Sequence, residues 1–490
     1  MSESSPKKLT ISRDEIRAVY AQGEDAVIAL VEGLLERIAV LEARVEALEN
    51  QISKNSRNSS KAPSSDGFKP KTKSQRRKSE RSSGGQPGHS GTTLEWSEEV
   101  HHVEQHSVVA CLACGQSLSD VAVESWDLRQ VRDIAPIQLT VSEHQAEVKC
   151  CPQCQTLNRG EFPPHVNSRV QYGANLKGLM VYLLDYQLLA SERVVELLSD
   201  VMGCELSEAT LYNSRESCFA ELASVEATIM QQIQQAEVLH CDETGMRVKG
   251  KLWWLHVAST DGLTFYFVHT KRGKEAMDAM GILPNYAGIS VHDGLKSYAQ
   301  YACEHALCNA HHLRELTFIL ERYQQIWAQE MSTLLCDLKQ QVDEAKAREQ
   351  TVLEPDLVQW FEERYEVLIQ AGLALNPMPQ LPPDGAKPRG RPKQSPAKNL
   401  LDRLQHQEKV LAFMYDFRVP FDNNQAERDL RMMKLKQKIS GGFRSVKGAQ
   451  MFARIRGYIS TLKKQGLNVL DALKQVFLGN PTMPTMLQPE

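Results

Sequence analysis

Val238-Leu239-His240-Cys241-Asp242-Glu243 and Gly288-Ile289-Ser290-Val291-His292-Asp293-Gly294 are two short apolar runs, each closed by an acid. Runs of this length, bounded by glycine and rich in aliphatic side chains, read as buried strands. Between them, 252–258 and 264–269 are rich in Trp, Phe, Tyr and Val and are separated by a turn at Thr260-Asp261-Gly262, so they predict two more strands. Residues 274–280 read as a helix and 306–309 as a fifth strand.

That order of strands, with one aspartate ending the first and another ending the fourth, is the order of a ribonuclease-H-like fold. Its closing helix is absent at this point and is read about a hundred residues later, at Pro420-Phe421-Asp422-Asn423-Asn424-Gln425-Ala426-Glu427-Arg428. On that helix Asp422 and Gln425 fit the N-cap and N3 positions of a capping box. Ala426, Leu430 and Met433 fall on one stripe, expected to be buried. Glu427, Arg431, Lys434 and Lys438 share another face at helical spacing. Glu427 is then either half of a surface pair with Arg431 or a metal ligand beside cations that bind phosphate; spacing alone leaves both open.

Carboxylates at strand ends supply the oxygen ligands that Mg²⁺ or Mn²⁺ accepts, and two such ions can drive in-line attack at a phosphodiester. Asp242 and Asp293 are the candidates. Glu243 should point to the opposite face of its strand, and His240 and His292 read as wall residues. The cluster Cys308-Asn309-Ala310-His311-His312 could hold a soft metal, but no second half is visible in sequence, which favours packing or substrate contact.

The rest of the chain is modular. At 490 residues it exceeds one ordinary core, and 42% hydrophobic content suffices for several. The net charge of −4 hides two basic segments. Ten Lys/Arg face two acids between Lys54 and Arg81, and eleven face Glu427 and Asp429 between Glu427 and Lys464. Such blocks are either solvated surface or contacts to a polyanion. Val31, Leu34, Ile38, Leu41, Val45, Leu48 and Ile52 alternate spacings of three and four, an a/d seam suited to a parallel two-stranded coil. Cys111-Leu112-Ala113-Cys114 and Cys151-Pro152-Gln153-Cys154 are two knuckles expected to hold one structural Zn²⁺, with Cys150 as a rival for Cys151. The strand-like stretch 137–141 between them suggests a zinc ribbon.

Residues 191–202, then Gly203, then 207–217 have the pattern of a helix-turn-helix, with Ser191 and Ser207 as N-caps, or of a plain helical hairpin. Residues 313–373 are helical. In the loop that follows, Arg389-Gly390-Arg391-Pro392 is either an AT-hook-like arm for a narrow minor groove or a basic turn. No apolar run reaches membrane-spanning length, no secretory leader is read, and eleven cysteines, an odd number, fit a reducing cytosol.

At these residues the sequence resembles the insertion sequence 66 family of DDE transposases. The matching stretches are Ser53-Lys54-Asn55-Ser56-Arg57-Asn58-Ser59-Ser60-Lys61-Ala62-Pro63-Ser64-Ser65-Asp66-Gly67, Gly84-Gly85-Gln86-Pro87-Gly88-His89, both cysteine knuckles, His240-Cys241-Asp242-Glu243-Thr244, and 420–428. Leu112 stands where a proline is common after the first knuckle's leading cysteine. The resemblance implies that Asp242, Asp293 and Glu427 are the catalytic triad. It also implies a zipper-like N-terminus, a zinc-binding domain, a helical insertion before the glutamate, and small accessory proteins encoded by the same element.

We therefore expect a multidomain α+β protein. Its parts are a coiled coil over 1–52, a basic flexible linker over 53–99, a zinc ribbon over 100–165 and an HTH-like helical region over 166–230. A ribonuclease-H-like core follows in halves at 231–318 and 401–465, interrupted by a helical insertion over 319–400, with a tail at 466–490. The expected activity is Mg²⁺- or Mn²⁺-dependent cleavage of the element's inverted ends and strand transfer to target DNA, with two ions per site and a homodimer or higher assembly formed through the coil. DNA contacts are expected from Arg428, Arg431, Lys434, Lys438, Arg389, Arg391, Arg76, Arg77 and Lys78. The alternatives are a zinc-containing DNA-binding regulator without catalysis and a metal-dependent nuclease that never joins.

Overall fold

The computed structural model describes residues 11–59, 94–135, 137–378 and 394–485. Arg76, Arg77 and Lys78 of the basic segment, and Arg389 and Arg391 of the Arg-Gly-Arg-Pro loop, lie outside the described residues.

The described elements follow the expected α+β pattern. Helix α1 (Arg13–Tyr20) and α2 (Glu24–Ser53) come first, then the short hairpin β1 (Val148–Cys150) and β2 (Leu157–Arg159). Helices α3 (Ala174–Val181), α4 (Ser191–Met202), α5 (Glu208–Glu221) and α6 (Ala223–Gln234) lead into the sheet strands β3 (Val238–Val248), β4 (Lys251–Ser259) and β5 (Thr264–His269). After α7 (Lys274–Met280) come β6 (Ile289–His292) and β7 (Glu304–Leu307). The remainder is helical: α8 (Asn309–Tyr323), α9 (Ile326–Ala347), α10 (Pro355–Leu375), α11 (Pro396–Leu404), α12 (Gln407–Val410), α13 (Ala412–Tyr415), α14 (Asn424–Ser440), α15 (Val446–Lys464) and α16 (Val469–Phe477). No described helix is long and apolar enough to cross a membrane.

The sheet order is β5-β4-β3-β6-β7. β3, β4 and β5 form an antiparallel meander, while β6 joins β3 and β7 joins β6 in parallel. Side chains alternate across each strand. Leu239 and Cys241 enter a core with Ile229 and Ile233 of α6, Met277 and Met280 of α7, and Ile455 and Ile459 of α15. Met246 and Val248, on the opposite face, pack against Ala426, Leu430 and Met433 of α14. The stripe expected on that helix is thus the one it buries. The α8–α13 helices bury a separate cluster on Ile289, Val291, Ala306 and Leu307. The insertion is therefore seated on β6 and β7.

Several expectations need correction. Residues 54–59 were expected to open a linker, but they form a turn docked on α8. Asn58 is buried and donates to Glu321 at 2.9 Å, and Arg57 pairs with the same carboxylate at 3.1 Å. Residues 137–141 are exposed and not a strand; the strands flank the second knuckle instead. The expected tail from 466 holds α16, whose Val469, Ala472, Leu473 and Val476 are buried. The fifth strand begins two residues earlier than predicted, at Glu304. The boundary expected at 318/319 falls inside α8 and that at 400/401 inside α11.

The helical pair α4–α5 has the expected form. Gly203 ends α4 with φ +62°, and Ser207 caps α5 by accepting from the Thr210 N–H. Ser191, expected as an N-cap, is the first residue of α4 behind Ala190. Helix α2 carries the heptad seam with no residue buried; Val31, Ile38, Leu41, Val45, Leu48 and Ile52 are exposed in the single chain.

Candidate metal centre

The pairing of β3 with β6 sets the site. Val238 pairs with Ile289, Leu239 with Ser290 and His240 with Val291. Continued for two residues, that register places Asp242 beside Asp293 on the face that α14 covers; Asp242 lies within β3, which runs on to Val248 instead of ending at the aspartate as expected, while Asp293 follows the carboxyl end of β6. Crevices at such strand ends are where open α/β sheets bind ligands. Asp242 Oδ1 accepts the Glu243 N–H at 2.8 Å, and Asp293 Oδ1 accepts the Leu295 N–H at 2.9 Å. Both carboxylates are oriented by the backbone that follows them.

Glu243 does point to the other face, as alternation requires, but it is not remote. One carboxylate oxygen from each of Asp242, Glu243 and Asp293 lies within 4.8 Å of the other two. Glu243 is held from behind: Tyr298 Oη donates to it at 2.7 Å and Arg272 Nε at 2.7 Å. Arg272 also approaches Asp293 at 3.8 Å and packs over the Trp254 ring. Three anions facing one guanidinium are poorly neutralised. Burial, and then the charges of Glu243 and Asp293, push the Asp242 carboxyl well above its ordinary value. Burial and the Asp293 charge raise Glu243 as well. An all-oxygen, anion-rich donor set of this kind fits a hard divalent cation.

Glu427 arrives from the other side of the chain, on the first turn of α14. The helix start is fixed by Asn423, which is 1% exposed. Its Nδ2 donates to the Cys241 carbonyl at 2.8 Å, its Oδ1 lies 2.9 Å from His240 Nδ1, and its N–H donates to Cys308 Sγ at 3.1 Å. The Asn423 side chain thus ties α14 to β3, and its backbone N–H ties it to Cys308 just after β7. The capping box does not form: Asn423 is the N-cap residue, Asp422 accepts from the Asn424 N–H at 3.0 Å, and Gln425 donates to Asp429. Asp422 is structural in a different way from that expected.

The Glu427 charge reaches Asp242 and helps to raise it. Its hydrogen-bonding partner is not Arg431, however. Arg314 of α8 donates to Glu427 Oε1 at 3.2 Å, and His311 Nδ1 lies 3.7 Å away. Glu427 therefore belongs to a second group, with Cys308 and His311, whose ligand atoms also lie within 4.8 Å of one another. Lys434 lies on the site side of α14, donating to the Gly245 carbonyl at 3.3 Å and feeling the Asp242 charge. Arg431 and Lys438 are exposed, and so is Arg428, which donates to Gln425 at 2.7 Å.

The histidines beside the aspartates are walls. His292 Nδ1 accepts the Gly294 N–H at 3.0 Å, so its Nε2 carries the proton given to His305 Nδ1 at 3.1 Å, and His305 Nε2 gives its own to the Tyr301 carbonyl at 3.1 Å. That chain fixes both rings as neutral and braces the loop of Asp293. Burial agrees, taking His292 down to about 3. His312 is buried against Asn309.

The knuckles form two matching half-sites. Cys111 N–H donates to the Gln116 carbonyl at 2.8 Å and Gly115 N–H to the Cys111 carbonyl at 2.9 Å; Cys151 with Thr156, and Gln155 with Cys151, repeat the pattern at 2.9 and 2.8 Å. Each pair of thiols fits half of a tetrahedral ion. Among the described residues the four sulfurs of Cys111, Cys114, Cys151 and Cys154 do not gather into one group. Cys150 is exposed in β1.

Sequence reading missed Asn423, Arg272, Arg314 and Tyr298. Arg272 and Tyr298 hold Glu243, Arg314 holds Glu427 and Asn423 holds the start of α14, each through a contact that no local pattern announces; only Arg314, one helical turn after His311, could have raised suspicion.

A family model described as Transposase IS66 family matches residues 169–451. A second, described as Family of unknown function (DUF6444), matches residues 3–95. The chain matches no curated protein.

Proposed function

The chain belongs to the transposase IS66 family, and from that premise we propose that it cuts and joins DNA at a hard-cation site made by Asp242, Asp293 and Glu427. The core is read as ribonuclease-H-like, interrupted between β7 and α14 by a helical insertion. The observation that carries this reading is the β3–β6 register, which sets Asp242 against Asp293 on the face covered by the helix of Glu427.

Asp242 and Asp293 would hold the ions, Mg²⁺ or Mn²⁺, with Glu427 completing the set from α14. Such ions, when bound, ease deprotonation of the attacking water or 3′-hydroxyl and stabilise charge on the leaving oxygen. The protein's own residues supply the rest. Asn423 holds α14 against the strand ends, the His292–His305 pair braces the Asp293 loop, and Glu243 is held in place by Arg272 and Tyr298. In the first step a water oxygen bonds to phosphorus and the bond to the 3′-oxygen breaks, freeing a 3′-hydroxyl at the element end. In the second that hydroxyl attacks a target phosphodiester and a target 3′-oxygen leaves. Arg428, Arg431, Lys434 and Lys438 of α14 would track the phosphate backbone, and Arg76, Arg77, Lys78, Arg389 and Arg391 would add contacts from outside the described residues.

The α4–α5 pair is the proposed DNA-reading unit, and the exposed seam of α2 the proposed dimer contact that pairs two ends. Cys111, Cys114, Cys151 and Cys154 would share one structural Zn²⁺. Accessory proteins of the same element are expected partners, in the bacterial cytoplasm. The test is strand joining by Asp242→Ala, Asp293→Ala and Glu427→Ala proteins on a pre-nicked element end. Loss of joining with end binding retained is expected; joining that survives each change would sink the proposal. A wild-type protein that cleaves but never joins would identify a nuclease.

A further inference from the structure

We propose that Cys308, His311 and Glu427 form a second cation site, for an ion of the Zn²⁺ or Co²⁺ class, which competes with the aspartates for the same glutamate. It rests on the reading of Glu427 as a catalytic carboxylate.

In sequence, Cys308 and His311 are half a site. The fold brings the missing half from α14, 116 positions beyond His311. Cys308 stands at the N-cap of α8 and His311 one turn on, so a spacing of three sets thiol and imidazole on one side of the first turn. With Glu427 their ligand atoms lie within 4.8 Å of one another. His311 Nδ1 is buried and has no hydrogen-bond partner among the described residues. A buried polar atom left unpaired costs about 1–3 kcal/mol, and a bound ion would satisfy it. Cys308 Sγ is oriented by the Asn423 N–H, and Glu427 by Arg314. Outer donors of that kind commonly steady ligating groups.

The donor chemistry separates the two centres. Asp242, Glu243 and Asp293 offer oxygen alone, whereas Cys308, His311 and Glu427 offer sulfur, nitrogen and oxygen. Thiolate and imidazole select zinc-class ions over Mg²⁺, and three protein ligands leave a fourth position open. An ion on Cys308 and His311 would hold the Glu427 carboxylate beside α8, where it already lies, and withdraw it from Asp242 and Asp293. Zinc-class ions would then switch the catalytic site off.

Cobalt titration of the full chain tests this without reference to catalysis. Wild type should take up one more equivalent of Co²⁺ than Cys308→Ser, with additional thiolate-to-cobalt absorption in the near ultraviolet. The cysteine knuckles contribute equally to both proteins and cancel in the difference. His311→Ala retains the thiol and should weaken that equivalent by about 10-fold or more; it carries the test if Cys308→Ser fails to fold. Identical spectra and stoichiometry in folded wild type and variants overturn the site. Zn²⁺ added to Mg²⁺-supported cleavage supplies the second arm. Inhibition should need about 10-fold more Zn²⁺ in His311→Ala, each protein measured against its own zinc-free rate. If the extra Co²⁺ equivalent is present but Zn²⁺ leaves cleavage unchanged, the site stands and the catalytic role of Glu427 falls.

Discussion

The acids Asp242, Asp293 and Glu427 and the cysteine knuckles are both proposed as metal ligands, yet folding treats the two sets differently. Asp242 lies in β3, Asp293 just after β6 and Glu427 on α14, and apolar cores on both faces of the sheet fix these elements without any ion, bringing Asp242 and Asp293 together with Glu243 while Glu427 lies with Cys308 and His311. Around the knuckles little is buried. Leu112 is 104% exposed and Val131 91%, and the described pairing is a three-residue hairpin around the second knuckle and one bridge, Ala110 with Ser117, around the first. Two half-sites form, each by its own local turn, and among the described residues the four sulfurs are not drawn into one group. A site assembled by a core is organised before its ion arrives, whereas a site without a core needs the ion to complete its fold.

The strongest way to break this contrast is to remove the zinc ligands. Structural zinc contributes roughly 10–16 kcal/mol to folding in isolated zinc peptides. Cys151→Ser should open residues 94–172 to protease while the core transition moves by less than about 1 °C, under ~0.5 kcal/mol. A core that melts together with that segment would show that the two regions are not independent.

Asn423→Ala attacks the assembled side. It leaves the Cys241 carbonyl and His240 without their partner and frees the start of α14, at an expected cost of about 2–4 kcal/mol. Thermal unfolding should show a fall of roughly 2–4 °C per kcal/mol, and cleavage should drop more than about 10-fold as Glu427 loses its placement. Unchanged melting would mean that α14 is held by its apolar stripe alone.

Asp242→Asn sharpens the contrast in the opposite direction. Its folded-state pKa is raised, so the ionised carboxylate destabilises the metal-free fold at neutral pH. The variant should melt higher than wild type at pH 7, and the gain should vanish as the pH falls below about 4, where the unfolded aspartate is protonated too. It should also lose the stabilisation that Mg²⁺ gives wild type. A variant that melts lower at pH 7 contradicts the account of crowded charge.

The smallest effect on the core is expected from the α2 seam. Leu41→Asp should abolish self-association measured by sedimentation and change the core by less than about 0.5 kcal/mol. Association that persists would place the dimer contact elsewhere.

Much of the five-stranded sheet was legible in the sequence because strands and the α14 stripe announce themselves by local periodicity. The spans Thr264–His269, Lys274–Met280 and Ile289–His292 were read to the residue. Asp242 and Asp293 followed from strand order. Glu427's actual partner was not legible, because Arg314 lies 113 positions away on a helix whose neighbour is set by the insertion. Asn423 was hidden for the same reason: its three contacts reach β3 and the end of β7. The turn at 54–59 was misread because its composition is that of a linker, while the contact that docks it, Asn58 to Glu321, spans 263 positions.

The claim that two strands and one distant helix share a hard cation is tested most directly by replacing that cation with Fe²⁺. Hydroxyl radicals generated at bound iron cut the polypeptide nearby. The account predicts cuts close to residues 242, 293 and 427, all suppressed in parallel by added Mg²⁺. Mg²⁺-sensitive cuts near 242 and 293 with none near 427 would contradict it.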